Sequence, residues 1–244
     1  MISKTLGNIT VVPHYSSVFR ILENKDVTPM LLAMITESSL PLNALEVDFA
    51  VDSTGFATSR FARWLDFKYG VVQEEHDWLK CHLICGVKTG IVTAVAVSDK
   101  YVHDTNLLPA LVKSTAQNFN ISEVSADKGY LSRDNANAIV EVGGTPYLAI
   151  KSNSTSEGTG AWMDMYYFFM SRRDEFLEHY HKRSNVEATF SAIKRKFGDN
   201  LRSRSGTAMI NETLCKILCH NLVVLNKAMY VLGLEPEFYQ QEAA

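Results

Sequence analysis

The sequence predicts an α/β fold in which a mixed central sheet is flanked by helices. Apolar segments of strand length alternate with longer segments of helical spacing along most of the chain. The chain has 244 residues, of which 46% are hydrophobic and 21% are charged. This length and composition are sufficient for a globular domain with a substantial core.

The first part of the chain predicts one helix, one strand and a hairpin. Residues 14–38 have helical spacing, and residues 47–51 alternate in polarity as a strand does. The Ser-Thr-Gly sequence at 53–55 is expected to end that strand. Residues 82–87 and 91–97 flank a Lys-Thr-Gly turn, and together they predict a β-hairpin.

Helices and strands alternate in the rest of the chain. Ser132 precedes one helical segment as its N-cap, and Gly233 follows the last one, where a left-handed glycine commonly ends a helix. The expected helices cover 104–119, 133–140, 161–197 and 207–232, and the expected strands cover 121–126 and 145–150.

Four polar side chains share one stripe of the helix expected at 161–197. At about 100° per residue, Tyr180, Arg183 and Lys194 fall within roughly 60° of one another when angles are measured from Glu187. One acid, two cations and a phenol on a single stripe suit an anionic polymer held beside a metal ion. The alternative is a solvated helix face with ion pairs such as Arg183 with Glu187, four residues apart.

The spacing of these residues resembles the tyrosine-arginine-glutamate-lysine signature of bacterial insertion-sequence transposases of the DDE class. The neighbouring sequence at 185–198 also resembles that signature, and the resemblance as a whole covers about residues 43 to 230. The resemblance implies an RNase H-like fold, whose order of strand, hairpin, helix, strand, helix, strand and helix agrees with the predicted elements. It also implies that Glu187 is the last of three carboxylates.

Two aspartates stand where the other carboxylates are expected. Asp52 begins an Asp-Ser-Thr-Gly-Phe sequence that resembles the first motif of the family, and Asp127 lies in an Ala-Asp-Lys-Gly-Tyr sequence that resembles the second. An isolated Asp-Lys-Gly is usually an ordinary turn, so the order of the three motifs carries this inference. Asp48 is about 13 Å from Asp52 along the strand. It is therefore expected to be a surface or structural residue.

The resemblance implies a metal-dependent reaction on DNA. Asp52, Asp127 and Glu187 would be the catalytic residues and the ligands of Mg²⁺ or Mn²⁺, because hard divalent cations prefer carboxylate oxygens. Two such ions can activate the attacking oxygen and stabilise the leaving oxygen on opposite sides of a phosphorus atom.

Three further residues are expected to bind DNA. Arg183 suits phosphate as a bidentate fork and Lys194 as a point charge. Tyr180 either stacks on a base or packs at the edge of the apolar face of the helix. The expected partner is double-stranded DNA, both transposon ends and target, with a homodimer on DNA as one arrangement.

Charge and length predict how the chain is organised. We expect a helical N-terminal segment at 1–42, the catalytic domain at 43–232 and a C-terminal tail at 233–244. Family members usually carry a basic end-recognition domain ahead of the catalytic domain, and we expect that domain to be missing here. The net charge is −3, but residues 171–204 contain nine Lys and Arg against five Asp and Glu. Phosphate contacts are therefore expected from that segment.

Two other functions remain open at this stage. One is an inactive or domesticated transposase remnant that binds DNA, and the other is an RNase H-like nuclease without strand transfer. The start of the sequence has no apolar segment of the kind that a secretory signal needs, so a cytoplasmic location is expected. The cysteine pairs at 81 and 85 and at 215 and 219 are expected to be reduced and not to bind zinc.

Overall fold

Five strands form one mixed sheet in the computed structural model, which describes residues 14–58, 68, 78–99, 101–157 and 159–235. The order across the sheet is β3-β2-β1-β4-β5, in which β2 is antiparallel to β1 and β3 while β4 is parallel to β1 and β5. The predicted α/β class with a mixed sheet is confirmed. The strands are β1 Asp48–Ala57, β2 Trp78–Gly86, β3 Val92–Ser98, β4 Glu123–Ala126 and β5 Thr145–Leu148.

Eight α-helices lie within the described residues, and three single 3-10 turns accompany them at 40–42, 104–106 and 128–130. Parts of the predicted terminal segments, residues 1–13 and 236–244, lie outside the described residues. The helices are α1 Tyr15–Glu23, α2 Val27–Ser39, α3 Leu108–Ala116, α4 Arg133–Glu141, α5 Ala161–Ser171, α6 Arg173–His181, α7 Ser184–Phe197 and α8 Gly206–Leu232.

The sheet has an apolar cluster on each face because successive side chains of a strand point to opposite sides. Phe49 and Val51 of β1 belong to the cluster that also holds α3, α4, α5 and α6 side chains. Ala50 and Phe56 belong to the other cluster, with side chains of α2, α7 and α8. Asp52 follows the spacing of Ala50 and Phe56, so it points toward α7.

Strand β1 is longer than its sequence predicts. The expected break at 53–55 is wrong, because β2 pairs with β1 continuously from Phe49 opposite Gly86 to Ala57 opposite Trp78. Turn-forming residues continue an extended strand here because the neighbouring strand binds their backbone groups. Asp52 therefore lies in the middle of β1 and not at its end.

The helix predicted over residues 161–197 is also wrong, because the structure divides it into α5, α6 and α7. At Arg172 the backbone leaves the helical region, with φ −135° and ψ 56°. At the second junction the helix tightens, and the Arg183 amide donates to the Tyr180 carbonyl at 3.0 Å. Glu187 and Lys194 consequently share α7, whereas Tyr180 lies on α6.

Two other helices begin or divide differently from the prediction. The helix expected at 14–38 is interrupted after α1, where Asn211 of α8 donates to the carbonyls of Leu22 and Asn24 at 2.8 and 3.1 Å. The helix expected from residue 104 begins as a 3-10 turn, and α3 starts only at Leu108. The hairpin, the Ser132 cap of α4 and the end of α8 at Gly233 are confirmed.

Helix α8 is long and apolar enough, by length and composition alone, to cross a membrane. Half of its apolar 18-residue segment is buried inside the fold, where α8 packs mainly against α2. Asn221 in α8 also donates to the Val92 carbonyl of β3 at 2.7 Å. These are the contacts of a core helix in a globular protein.

Candidate active site

The pairing register of β1 and β4 places two of the predicted carboxylates side by side. The parallel pairs run from Asp48 opposite Glu123 to Val51 opposite Ala126. Asp52 and Asp127 are the next residues along the two paired segments, so they lie next to each other where β4 ends. Asp48 belongs to the opposite end of the pair, four residues earlier.

Asp48 takes part in an ion-pair network with Lys182 and Glu123. Lys182 Nζ lies 2.9 Å from Asp48 Oδ2 and 2.5 Å from Glu123 Oε1. His179 Nδ1 lies 2.5 Å from the other oxygen of the buried Glu123. This network fastens the junction of α6 and α7 to the first residues of β1 and β4.

Arg183 joins the first and third predicted carboxylates. Its Nη1 lies 3.2 Å from Asp52 Oδ2, and its Nη2 lies 2.6 Å from Glu187 Oε1. The second contact spans four residues along the chain, as the ion-pair alternative predicted, but the first spans 131 residues and makes the arrangement tertiary. Asp52 is further held by the Ser53 amide, which donates to Oδ1 at 2.8 Å.

The other two predicted carboxylates act electrostatically on Asp52. Burial is the main cause that raises the pKa of Asp52, and the charges of Asp127 and Glu187 raise it further. The Ser53 amide and the Arg183 guanidinium lower that pKa but do not offset the increase. A cation near Asp52 would therefore favour its ionised form.

The donor set suits a hard divalent cation, because it consists of carboxylate oxygens alone. With the side chains in their present positions, no three His, Cys, Asp or Glu residues of the described part of the chain are grouped closely enough to hold a metal ion. Arg183 contacts two of the three carboxylates, so a cationic group already partly neutralises them. Binding of an ion by all three would require Arg183 and the acidic side chains to rotate.

The remaining two predicted residues lie beside this acidic group. The Tyr180 ring is partly buried, and its centroid is 6.0 Å from the Arg183 guanidinium carbon. Lys194 Nζ donates to Thr54 Oγ1 at 2.6 Å and lies 5.5 Å from the centroid of the Phe56 ring. Partial burial is the main cause that lowers the pKa of Lys194. The structure thus brings the six predicted residues to one region around the second half of β1.

The sequence patterns did not single out Lys216, which lies in α8 near this region. It is 8% exposed, and its Nζ donates to the carbonyls of Gly198 and Asn200 at 3.0 and 2.7 Å. The same Nζ lies 5.5 Å from the Phe56 ring centroid. It therefore fixes the end of α7 beside Lys194. A lysine within an apolar helical segment was the available signal, since buried lysines are rare unless they are paired.

These features define an α/β protein with interacting carboxylates and adjacent cations around one strand of its sheet. A search of curated proteins returns no match. A family model described as a transposase DDE domain matches residues 43–222, which is most of the chain. The chain belongs to this transposase family.

Proposed function

We propose that this protein is a metal-dependent DDE transposase with an RNase H-like catalytic domain, which cleaves DNA and transfers strands. The observation that carries the proposal is the adjacency of Asp52 and Asp127, with Glu187 joined to Asp52 through Arg183. The family match and the strand order β3-β2-β1-β4-β5 support it.

In this proposal, Asp52, Asp127 and Glu187 hold Mg²⁺ or Mn²⁺. When bound, the ions would activate a water or 3′-hydroxyl nucleophile and stabilise the leaving oxyanion. The Ser53 amide keeps the Asp52 carboxylate oriented. Arg183 shields Asp52 and Glu187 from each other, and a bound cation would take over that role.

Double-stranded DNA, both transposon ends and target, is the proposed partner in the cytoplasm, with a homodimer on DNA as one arrangement. Lys194 would contact phosphate near the carboxylates, because Thr54 holds its ammonium group on β1. Arg183, once it has left Glu187, would have its planar fork available for phosphate. Tyr180 would stack on a base, with its ring centroid 6.0 Å from the Arg183 guanidinium carbon.

The test is cleavage of supercoiled plasmid DNA in Mg²⁺ or Mn²⁺, followed by an assay for joined products. We expect D52N, D127N and E187Q each to abolish both reactions without unfolding the protein. D48N is the matched control, since Asp48 lies on the same strand but contacts Lys182. An inactive D48N with an active D52N would overturn the assignment.

A second candidate is a DNA-binding protein without catalytic activity. It is favoured by the Arg183 contacts, which occupy Asp52 and Glu187. It is also favoured because no three His, Cys, Asp or Glu side chains in the described part of the chain are grouped closely enough to hold a metal ion. Binding of plasmid DNA with no metal-dependent nicking would support this candidate. Nicking without joining would instead indicate a nuclease that lacks strand transfer.

A further inference from the structure

A polar cluster is buried on the face of the sheet opposite to Asp52. Tyr130 and His82 are 1% and 0% exposed, and the Tyr130 hydroxyl lies 3.1 Å from His82 Nδ1. The other ring nitrogen of His82 lies 3.1 Å from Ser98 Oγ in β3. The Asp104 carboxylate approaches His82 Nδ1 at 3.5 Å and forms an ion pair with Lys80.

Tyr130 is tied closely to the turn that carries Asp127. Its amide donates to the Asp127 carbonyl at 2.9 Å within a 3-10 turn. Its own carbonyl accepts from Asn135 Nδ2 of α4 at 2.7 Å. The backbone between Asp127 and Tyr130 is therefore held at both ends, and a movement of the tyrosine ring would be passed to the aspartate.

His82 is tied equally closely to the strand that carries Asp52. It pairs with Ser53, the residue after Asp52, in the antiparallel register of β1 and β2. Leu83, which follows His82, pairs with Asp52 itself. The Tyr130–His82 hydrogen bond consequently connects the Asp127 turn to the strand pair beneath Asp52.

We infer that the Tyr130 hydroxyl, through His82, is a positioning group that sets the distance between the carboxylates of Asp52 and Asp127. This inference rests on the proposed function. Tyr130 and His82 do not touch the substrate, and they act through the backbone that bears the two acids. A displacement of about 1 Å in a reacting geometry can reduce a rate about 100-fold, so such a constraint is effective.

Packing alone does not explain these polar groups. A phenylalanine would fill the same space as Tyr130, and burying a hydroxyl or an imidazole is unfavourable unless each finds a hydrogen-bond partner. Burial lowers the pKa of His82 to about 4, so the ring is neutral near pH 7 and can pair with the hydroxyl without a buried charge. The hydrogen bond therefore orients the two side chains without adding a charge to the interior.

The experiment compares Y130F, H82L, the double variant Y130F/H82L and H82N, which keeps an amide near the position of Nδ1. Y147F is the matched control, because Tyr147 is a buried tyrosine on β5 whose ring stacks on His179. We would measure single-turnover nicking of supercoiled plasmid in saturating Mn²⁺, plasmid affinity, Mn²⁺ affinity and melting temperature.

We expect Y130F and H82L each to slow nicking about 10- to 100-fold and to weaken Mn²⁺ binding, with plasmid affinity unchanged. The double variant should be no slower than the slower single variant, because each single change already removes the shared Tyr130–His82 hydrogen bond. H82N should recover most of the rate, and Y147F should match the wild type.

Several outcomes would contradict the inference. A Y130F protein with wild-type nicking and Mn²⁺ affinity overturns it, even if the melting temperature falls. Multiplicative losses in the double variant also overturn it, because two independent effects would then be present. A wild-type protein that binds Mn²⁺ but never nicks DNA rejects the proposed function alone, and Mn²⁺ affinity then decides the positioning role. A wild type that does neither rejects both.

Discussion

Arg183 Nη2 lies 2.6 Å from Glu187 Oε1 while Nη1 of the same guanidinium reaches Asp52, so one cation connects α7 to β1. The spacing in the sequence offered an ion pair between Arg183 and Glu187 as the alternative to phosphate binding. The contact with Asp52 shows that this ion pair also closes the space between two elements of the fold. Arg183 should therefore compete with any metal ion for the same oxygens.

We predict that R183Q increases Mn²⁺ affinity several-fold. Removing the guanidinium frees Asp52 and Glu187, and an ion pair of this exposure contributes roughly 0.5–1 kcal/mol. Isothermal titration of the wild type and R183Q with Mn²⁺ measures the effect. R173Q is the control, because Arg173 lies on α6 and its guanidinium group is over the Phe169 ring of α5. Weaker Mn²⁺ binding in R183Q would show that Arg183 supports the metal site instead of competing for it.

Lys194 provides a test of phosphate contact. We predict that K194A weakens binding of plasmid-derived duplexes regardless of sequence and lowers the salt dependence of log K by about one unit of slope. Binding curves measured between about 50 and 200 mM salt give this slope. K196A is the matched control, because Lys196 is exposed on α7 and points roughly 180° away from Glu187. Equal effects of K194A and K196A would contradict a contact at the carboxylates.

Asp52 should make stability depend on pH. Because its pKa is raised in the folded protein, folding favours the protonated carboxyl, and stability is lost as the pH rises through that pKa. We predict that D52N melts at a higher temperature than the wild type at pH 7 without divalent metal. The difference should disappear below about pH 4, where the carboxyl is protonated in both states.

Melting curves at several pH values test this prediction, with D134N as a control at an exposed carboxyl on α4. Adding Mn²⁺ should stabilise the wild type more than D52N. A D52N protein that is less stable than the wild type at pH 7 would mean that the Arg183 ion pair outweighs the cost of burial.

The hairpin turn depends on a buried acid. Glu46 is 0% exposed, and its carboxylate accepts from the amides of Lys88 and Thr89 at 3.1 and 2.6 Å. A Cβ atom on Gly86 would overlap the Glu46 side chain. We predict that G86A lowers the free energy of unfolding by about 1–3 kcal/mol, as overpacking usually does.

Chemical denaturation measures this change. G206A is the control, because a Cβ on Gly206 at the start of α8 would meet nothing within 4 Å. Alanine also suits a helix better than glycine. If G86A were as stable as the wild type, Glu46 could move without loss and its contacts with the turn would not stabilise the hairpin.

Local patterns predicted much of the fold because their causes act over a few residues. The hairpin follows from two apolar segments around a turn, and α4 follows from the Ser132 cap, which accepts from the Asn135 amide. The single helix expected over 161–197 failed for the opposite reason. Absence of Gly and Pro permits a long helix, but ion pairs at Lys182 and the packing of Phe176 bend the chain against the sheet.

The sequence by itself determined the class of the fold, the order of its elements and the three acidic motifs, because periodicity, caps and motif spacing are properties of neighbouring residues. Only the tertiary structure decided that β1 continues past Asp52, since β2 supplies the hydrogen bonds that extend it. It also decided the partners of Arg183 and Tyr130, whose contacts join residues 131 and 48 positions apart. Such contacts depend on how the sheet and helices pack, and no local pattern encodes them.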